Sequence, residues 1–482
     1  MALLTQELAD FAAATRFESL PSEVIHESKR VLLDSIGCAL AAVDHHKGAI
    51  GVAFGQLLGG DGKEATIVGT RHQASIFGAA FANSELINAL DFDAILPPGH
   101  VTPYVLPVVL AVAEGVGASG KDVVVANAVA HEMSFRMGKA MDYLRDTKDG
   151  EVDPPSVFGY SSTIFGASAA ASRLRRLPAE TIANALGIAA AISPVNAHWP
   201  WFKHVPTSTI KYQLGGQVTQ SALTASFMAE LGHRGDLQIL DDQEFGYARF
   251  IGTRRWDADR IVEGLGTNWG FPQSMAYKPY PHCRVMHAVM GAMTRLLDEQ
   301  AIRVEEIEGI KVWVEGFVQE PAWLNQQIDR VHDAQFSIAH GVSFAAHRIP
   351  PGKAWQDPSL VFSPSVMELM RKIEHEVHPD YVKLRTANPA AQPARVEVRA
   401  RGRIFVGEQL FPKGVRSPDP SSYMTDDELI AKYRTNATGV LADVVAEQIA
   451  ESVFNLEDVA DFRALMRQMA VADNGNLAQA AE

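Results

Sequence analysis

The sequence predicts a mostly α-helical protein carrying a second, smaller α+β domain. Three observations lead there. Apolar residues recur at helical spacing from the start to about residue 270, alternation at period two appears only after that, and helical spacing returns beyond Pro418 and Pro420. A chain of 482 residues also exceeds what one ordinary core serves, so two domains are expected. The boundaries that follow are 1–270 with 409–482 for an all-helical domain built from both ends of the chain, and 271–408 for an α+β domain set into it.

Taken in order, Pro21 opens a segment with Val24, Ile25, Val31, Leu32 and Ile36 on one helical face. Ser75 to Leu90 is apolar on all sides, the pattern of a helix buried among helices. Ser119 is placed to cap a helix over Val123 to Met137. Gly166–Arg176 and Thr181–Ile192 are rich in small residues, as close helix packing requires. Cys283 to Leu297 still reads as helix. Ile310, Val312 and Val314 then alternate with Lys311, Trp313 and Glu315, which predicts a half-buried strand. Val396 and Val398 alternate with charged residues, and Gly402 leads into Ile404-Phe405-Val406, a hairpin. Thr425 and Glu428 form a capping box with Met424 and Leu429 as its staple. The last ten residues, DNGNLAQAAE, are polar and expected to fray.

Composition narrows the function. A hydrophobic fraction of 47% and a charged fraction of 21% are those of a soluble globular protein. A formal charge of −14 argues against nucleic acid or an anionic membrane surface as a partner, while leaving room for a local cationic site. Two cysteines, Cys38 and Cys283, make neither a disulfide framework nor a CxxC site, which suits a reducing cytoplasm. The start lacks the basic and apolar regions of a signal peptide, and Tyr104–Ala113 is too short to cross a membrane.

Four stretches carry the candidate chemistry. In NSELINALDFDAILPPGHVTPYVLP, Asp91 and Asp93 precede His100 on a proline-stiffened loop, a set that suits acid/base work, a metal ion or plain helix capping. In YKPYPHCRVMH, Lys278, His282, Arg284 and His287 fall close together at the domain junction. Such a cationic cluster suits a carboxylate substrate, and a proline-stiffened linker with a solvated basic face is the alternative. His198, Lys203 and His204 lie among aromatics, with Lys211 one to two turns further on; an activated lysine and an interdomain surface are equally open readings. Glu132 and Arg136 read as an ordinary i,i+4 helix pair. Gly115 to Gly120 matches GxGxxG by letter, but a helix rather than a strand precedes it, so a helix–helix loop is expected. No P-loop or GxSxG motif is present.

LLDSIGCALAA, NSELINALDFD with His100, HEMSFRMGKA, KPYPHCRVMH, AQFSIAHGVSFA and DELIAKYRTNA occur in the order seen in the MmgE/PrpD family, which the chain resembles over nearly its whole length. The family includes 2-methylcitrate dehydratase, cis-aconitate decarboxylase and iminodisuccinate epimerase. The resemblance implies an all-helical domain, an α+β lid, a homodimer through the helical domain, and no cofactor; no metal is expected either. Carried over by position, it marks Asp91, His100 and Lys278 as catalytic, with Lys203 as the active-site lysine and Lys211 its rival. Tyr160 stands where decarboxylase-like members have a histidine, His340 where they have a tyrosine, and Ala94 where the family has a second paired acid. These departures point away from decarboxylation.

The expected function is therefore a lyase of the dehydratase type, removing a proton next to a carboxylate of a small di- or tricarboxylate. Epimerisation comes second, decarboxylation third, and a carboxylate-binding scaffold is the non-enzymatic alternative. His100 is the expected base, oriented by Asp91, with Asp93 structural. Lys278, Lys203 and Arg284 supply positive charge, His282 and Lys211 help bind substrate, and Tyr160 and His340 are the candidate acids.

Overall fold

The long apolar segments of the first half cannot be solvated on any side, and the structure solves this by packing them against one another. A computed structural model describes residues 3–211 and 213–471. In it, helix Ile76–Asn88 packs on Thr102–Val116, which packs in turn on Gly120–Ala140. Thr163–Leu174 and Gly215–Glu230 close the other side. The small residues have a steric purpose. A Cβ on Gly166 would lie 2.3 Å from the Ala130 carbonyl oxygen, so only glycine lets these two helices approach so closely.

Ser119 caps Gly120–Ala140 as expected, accepting from Asp122 N at 3.2 Å while Asp122 reaches back to Ser119 N at 3.3 Å. Upstream of it stands the Thr102–Val116 helix and not a strand, so the glycine-rich letters form a turn between helices. The pair Glu132–Arg136 differs from expectation. Both residues are buried, with Arg136 Nε on Glu132 Oε1 at 2.7 Å and its remaining donors on the carbonyls of Ile261, Glu263, Gly264 and Asn268. Glu132 Oε2 accepts from Gly270 N and Phe271 N at 2.9 and 3.0 Å. This pair clamps the chain entering the second domain.

After residue 271 a four-stranded sheet forms in the order Ile373–Val377, Ile307–Val314, Ala394–Ala400, Arg403–Gln409. The first pairing is parallel and the other two antiparallel. Ile310, Val312 and Val314 are buried against helix His287–Glu299, and Lys311 and Trp313 lie on the other face. Glu315 breaks the predicted alternation: it is buried just past the strand, where Oε2 accepts from Arg145 Nε at 3.0 Å and from the Tyr381 hydroxyl at 3.1 Å.

The last helices return to the first domain. Asp426–Ala437, with its Thr425–Glu428 capping box, lies along Ser22–Ala41, and Phe462–Gln468 packs on Thr102–Val116. Lys432 Nζ from Asp426–Ala437 pairs with Asp34 at 2.7 Å and donates to the Phe92 carbonyl at 2.8 Å, so a C-terminal element supports the Asp91–Asp93 turn. Residues 473–482 lie outside the described residues. Both cysteines are buried and free. Among the described residues, no helix is long and apolar enough to cross a membrane.

Candidate active site

Helix Ile76–Asn88 ends one turn before Asp91, whose φ of 53° lies in the left-handed region. That conformation is uncommon for a residue with a side chain, although aspartate tolerates it better than most. Here the turn presents both the carboxylate and the main-chain carbonyl of Asp91 to one ammonium: Lys278 Nζ donates to Oδ2 at 2.6 Å and to the carbonyl at 2.8 Å. Lys211, also left-handed at φ 55°, donates to Asp91 Oδ1 at 2.8 Å and to the Asn88 carbonyl at 3.1 Å. All three side chains are buried. Backbone strain at two contacting residues is the kind a fold retains where a site needs it.

His100 completes the cluster. Its Nδ1 lies 2.7 Å from Asp93 Oδ2 and its Nε2 lies 3.5 Å from Asp91 Oδ1. The expected roles of the two acids are thus exchanged. Asp93, read from sequence as structural, holds Nδ1, while Asp91 gathers the lysines. A carboxylate on Nδ1 fixes that nitrogen as the N–H and leaves Nε2 as the basic one. Asn88 Nδ2 donates to Asp93 Oδ1 at 3.3 Å, and Lys47 Nζ donates to Asn88 Oδ1 at 3.0 Å, so a further buried layer orients the pair. Gly99 matters for a local reason: at φ 154° a Cβ there would fall 1.9 Å from Tyr160 Cε1. The loop must pass flat against the Tyr160 ring to bring His100 in.

Charge at the site follows from burial set against neighbours. Burial pushes the Asp91 carboxyl up, but Lys211, Lys278 and His100 together outweigh it and hold the group well below the usual carboxylate range. Asp93 follows the same logic, with burial opposed by His100, and also ends below its usual value. For Lys211 burial wins over Asp91 and the ammonium loses its proton more readily than a free lysine. Two ammoniums face Asp91 while Asp93 faces His100, so the two carboxylates balance the two lysines with the imidazole neutral. A cavity of about 230 Å³ opens beside Lys211, lined also by Lys47, His332, Arg330, Gln335 and Phe336.

The other expected site residues divide. Tyr160 belongs to the cluster, its ring 6.0 Å from that of His100 and stacked on His198 at 4.3 Å. Lys203 does not: its side chain is 52% exposed and pairs with Glu320 at 2.7 Å, leaving Lys211 as the lysine that reaches Asp91. His204 is exposed as well. His340 is buried with Nε2 on the Val361 carbonyl at 3.1 Å, and burial brings its pKa down to about 4. His282 is pulled to about 4 by burial in spite of Asp91 nearby, so it is a neutral wall group and not the cation expected. Arg284 lines a different cavity and donates to Gln392 Oε1 at 2.8 Å. Among the described residues, no group of three or more His, Cys, Asp or Glu is arranged to hold a metal ion. Asn88, Lys47 and Lys432 went unread in the sequence. Only the basic HHK at 45–47 in an otherwise apolar region offered a signal.

Comparison with known proteins covers both halves of the chain. The MmgE/PrpD N-terminal domain family matches residues 6–259, and the MmgE/PrpD C-terminal domain family matches residues 280–458. Cis-aconitate decarboxylase from Homo sapiens is 25% identical over 475 residues, covering 95% of this chain and 92% of its own. The Mus musculus protein of that name is 25% identical over 497 residues, covering 96% and 93%. That from Aspergillus terreus is 22% identical over 489 residues, covering 96% and 95%.

Proposed function

Because the chain belongs to the MmgE/PrpD family, we propose that it is a lyase acting on a small di- or tricarboxylate through proton transfer at a carbon next to a carboxylate. The observation that carries this reading is Asp91 shared by Lys211 and Lys278 at 2.8 and 2.6 Å with His100 Nε2 3.5 Å from the same carboxylate. Lys211 is the member of the cluster that lines the 230 Å³ cavity, and substrate carboxylates entering there meet Lys47 and Arg330 as well. His100 Nε2 exchanges the proton, with Asp93 stabilising the imidazolium that forms; such placement supplies roughly 10²–10⁴-fold. Negative charge that develops on the enediolate-like intermediate is met by the ammoniums of Lys211 and Lys278, already in place and shielded from water. In dehydration His100 takes the proton from carbon and the hydroxyl leaves protonated as water. In decarboxylation the electron pair of the breaking C–C bond stays on the substrate as carbon dioxide departs, and Lys211, its proton loosened by burial, protonates the resulting carbanion.

The departing group is carbon dioxide in the relatives' named reaction, so an unsaturated tricarboxylate such as cis-aconitate is the first substrate to test. A second reading, loss of water from a hydroxylated tricarboxylate, is favoured by Tyr160, whose phenol beside His100 is placed to protonate a leaving hydroxyl. Proton NMR of a panel of small polycarboxylates in deuterated water tests both. Decarboxylation or alkene formation at a carboxylate-bearing carbon is the expected outcome. Inertness toward the whole panel would defeat the proposal, and deuterium exchange without loss of a group would move the chain to the epimerases.

A further inference from the structure

A larger cavity, about 530 Å³, lies where the end of the Gly120–Ala140 helix meets the second domain. None of Asp91, Asp93, His100, Lys211 or Lys278 lines it. Its wall carries seven Lys or Arg side chains and one acid, Asp146, in a chain of net charge −14. Local pairing accounts for part of this. Arg145 meets Glu315 at 3.0 Å, Arg255 meets Asp146 at 3.1 Å, Arg260 meets Asp257 at 2.6 Å and Arg416 meets Glu27 at 3.2 Å. Lys139, Arg284 and Arg385 have no carboxylate within ion-pair distance among the described residues.

Arg284 makes the sharper case. It is only 5% exposed, spends Nη1 on Gln392, and leaves Nε and Nη2 without a hydrogen-bond partner; Arg385 Nη1 is also unpartnered. Burying guanidinium donors unpaired is costly unless something else accepts from them. Planar forks of this kind match an anion with several oxygens. Phe135, Tyr143 and Met275 add an apolar wall that suits a carbon skeleton. We propose that this cavity is a second binding site, separate from the catalytic cluster, for a small multiply charged organic oxyanion held by Arg284, Arg385 and Lys139. Phosphate and carboxylate oxygens offer these donors the same chemistry, so a phosphorylated metabolite and a polycarboxylate are its two sources.

Position gives such a ligand a consequence. Ile95 to Pro97 and Met275–Ala276 form part of the wall and lead directly to His100 and Lys278, and Ile95 and Ala276 exchange two backbone hydrogen bonds at 2.8 and 2.9 Å. An anion here touches the backs of both segments that carry the catalytic groups.

Isothermal titration of the full-length protein with pyrophosphate, and separately with tricarballylate, tests this. The expected result is saturable binding that weakens at least about ten-fold in Lys139→Gln and in Arg284→Gln, the factor for one charge-assisted hydrogen bond, and is unchanged for pyrophosphate in Lys211→Met. Tighter pyrophosphate binding assigns the phosphorylated class, tighter tricarballylate the polycarboxylate. Circular dichroism checks that the buried Arg284→Gln variant folds, and the exposed Lys139→Gln variant keeps the test independent of it. No saturable binding of either probe would overturn the proposal. So would binding lost in Lys211→Met and retained in Lys139→Gln, because the anion would then sit in the cavity beside Lys211.

Discussion

Replacing Asp91 by Asn removes the carboxylate that two buried ammoniums both contact. At an effective dielectric of about 20, contacts of 2.6 and 2.8 Å each represent about 6 kcal/mol of gross attraction, most of it offset by the several kcal/mol of desolvation each ion has already lost. The net worth of the intact cluster is therefore small. The cost of breaking it is not, because Lys211 and Lys278 stay buried with like charges facing each other. Asp91→Asn should lose about 3–5 kcal/mol in urea denaturation at pH 7. The pH dependence has a definite sign. The folded Asp91 carboxyl lies below its unfolded value, so its contribution is present above about pH 4 and fades as pH falls through the folded value. In the variant, burial without a counter-charge lowers the lysines' proton affinity, so the unfolded state binds more protons and stability rises with pH. The deficit should narrow between pH 7 and 9. A loss under about 1 kcal/mol, or one flat across that range, would refute the reasoning.

Asp93→Asn keeps the shape that orients His100 but removes the charge facing the imidazolium. Steady-state kinetics should show kcat down by about 10²–10⁴ with KM little changed, and a wild-type kcat would return Asp93 to a structural role. The two lysines left open by the sequence should separate: Lys211→Met loses turnover, whereas Lys203→Ala, which breaks a pair with Glu320 and a contact with the Trp199 ring on a half-exposed side chain, stays within about 1 kcal/mol of wild type in stability and keeps its rate. Equal loss in both would mean that the cluster does not define the site. Arg136→Met should cost about 3–5 kcal/mol in a thermal or urea melt, since it strands Glu132 and four carbonyls, without changing the rate per folded molecule. A nearly neutral melt would show that the clamp is dispensable.

The fold was legible because burial imposes period: helices apolar on every side and one alternating strand identify the two kinds of layer before any contact is known. The site was legible where local sequence constrains geometry, as in the stiffened loop that delivers His100 and the KPYP segment that delivers Lys278. It was not legible where direction depends on tertiary contact. Lys203 sits among Trp199, Trp201 and Phe202, yet it falls at the end of a short helix whose rings turn inward and whose lysine turns out. Lys211 reaches Asp91 only through a left-handed turn that no spacing rule announces. Asp91 and Asp93 are two residues apart, and that spacing does not say which of them meets Nδ1. The Glu132–Arg136 pair reads as an ordinary helix pair because spacing says nothing of the loop that later covers it.

The central claim is that His100, held by Asp93 and facing the Asp91–lysine cluster, moves the proton. Proton NMR in deuterated water on the best polycarboxylate substrate, comparing wild type with His100→Ala, tests it most directly. Turnover at least about 10²-fold slower in a variant that folds and still binds substrate is the predicted result. Wild-type turnover in His100→Ala would contradict the account.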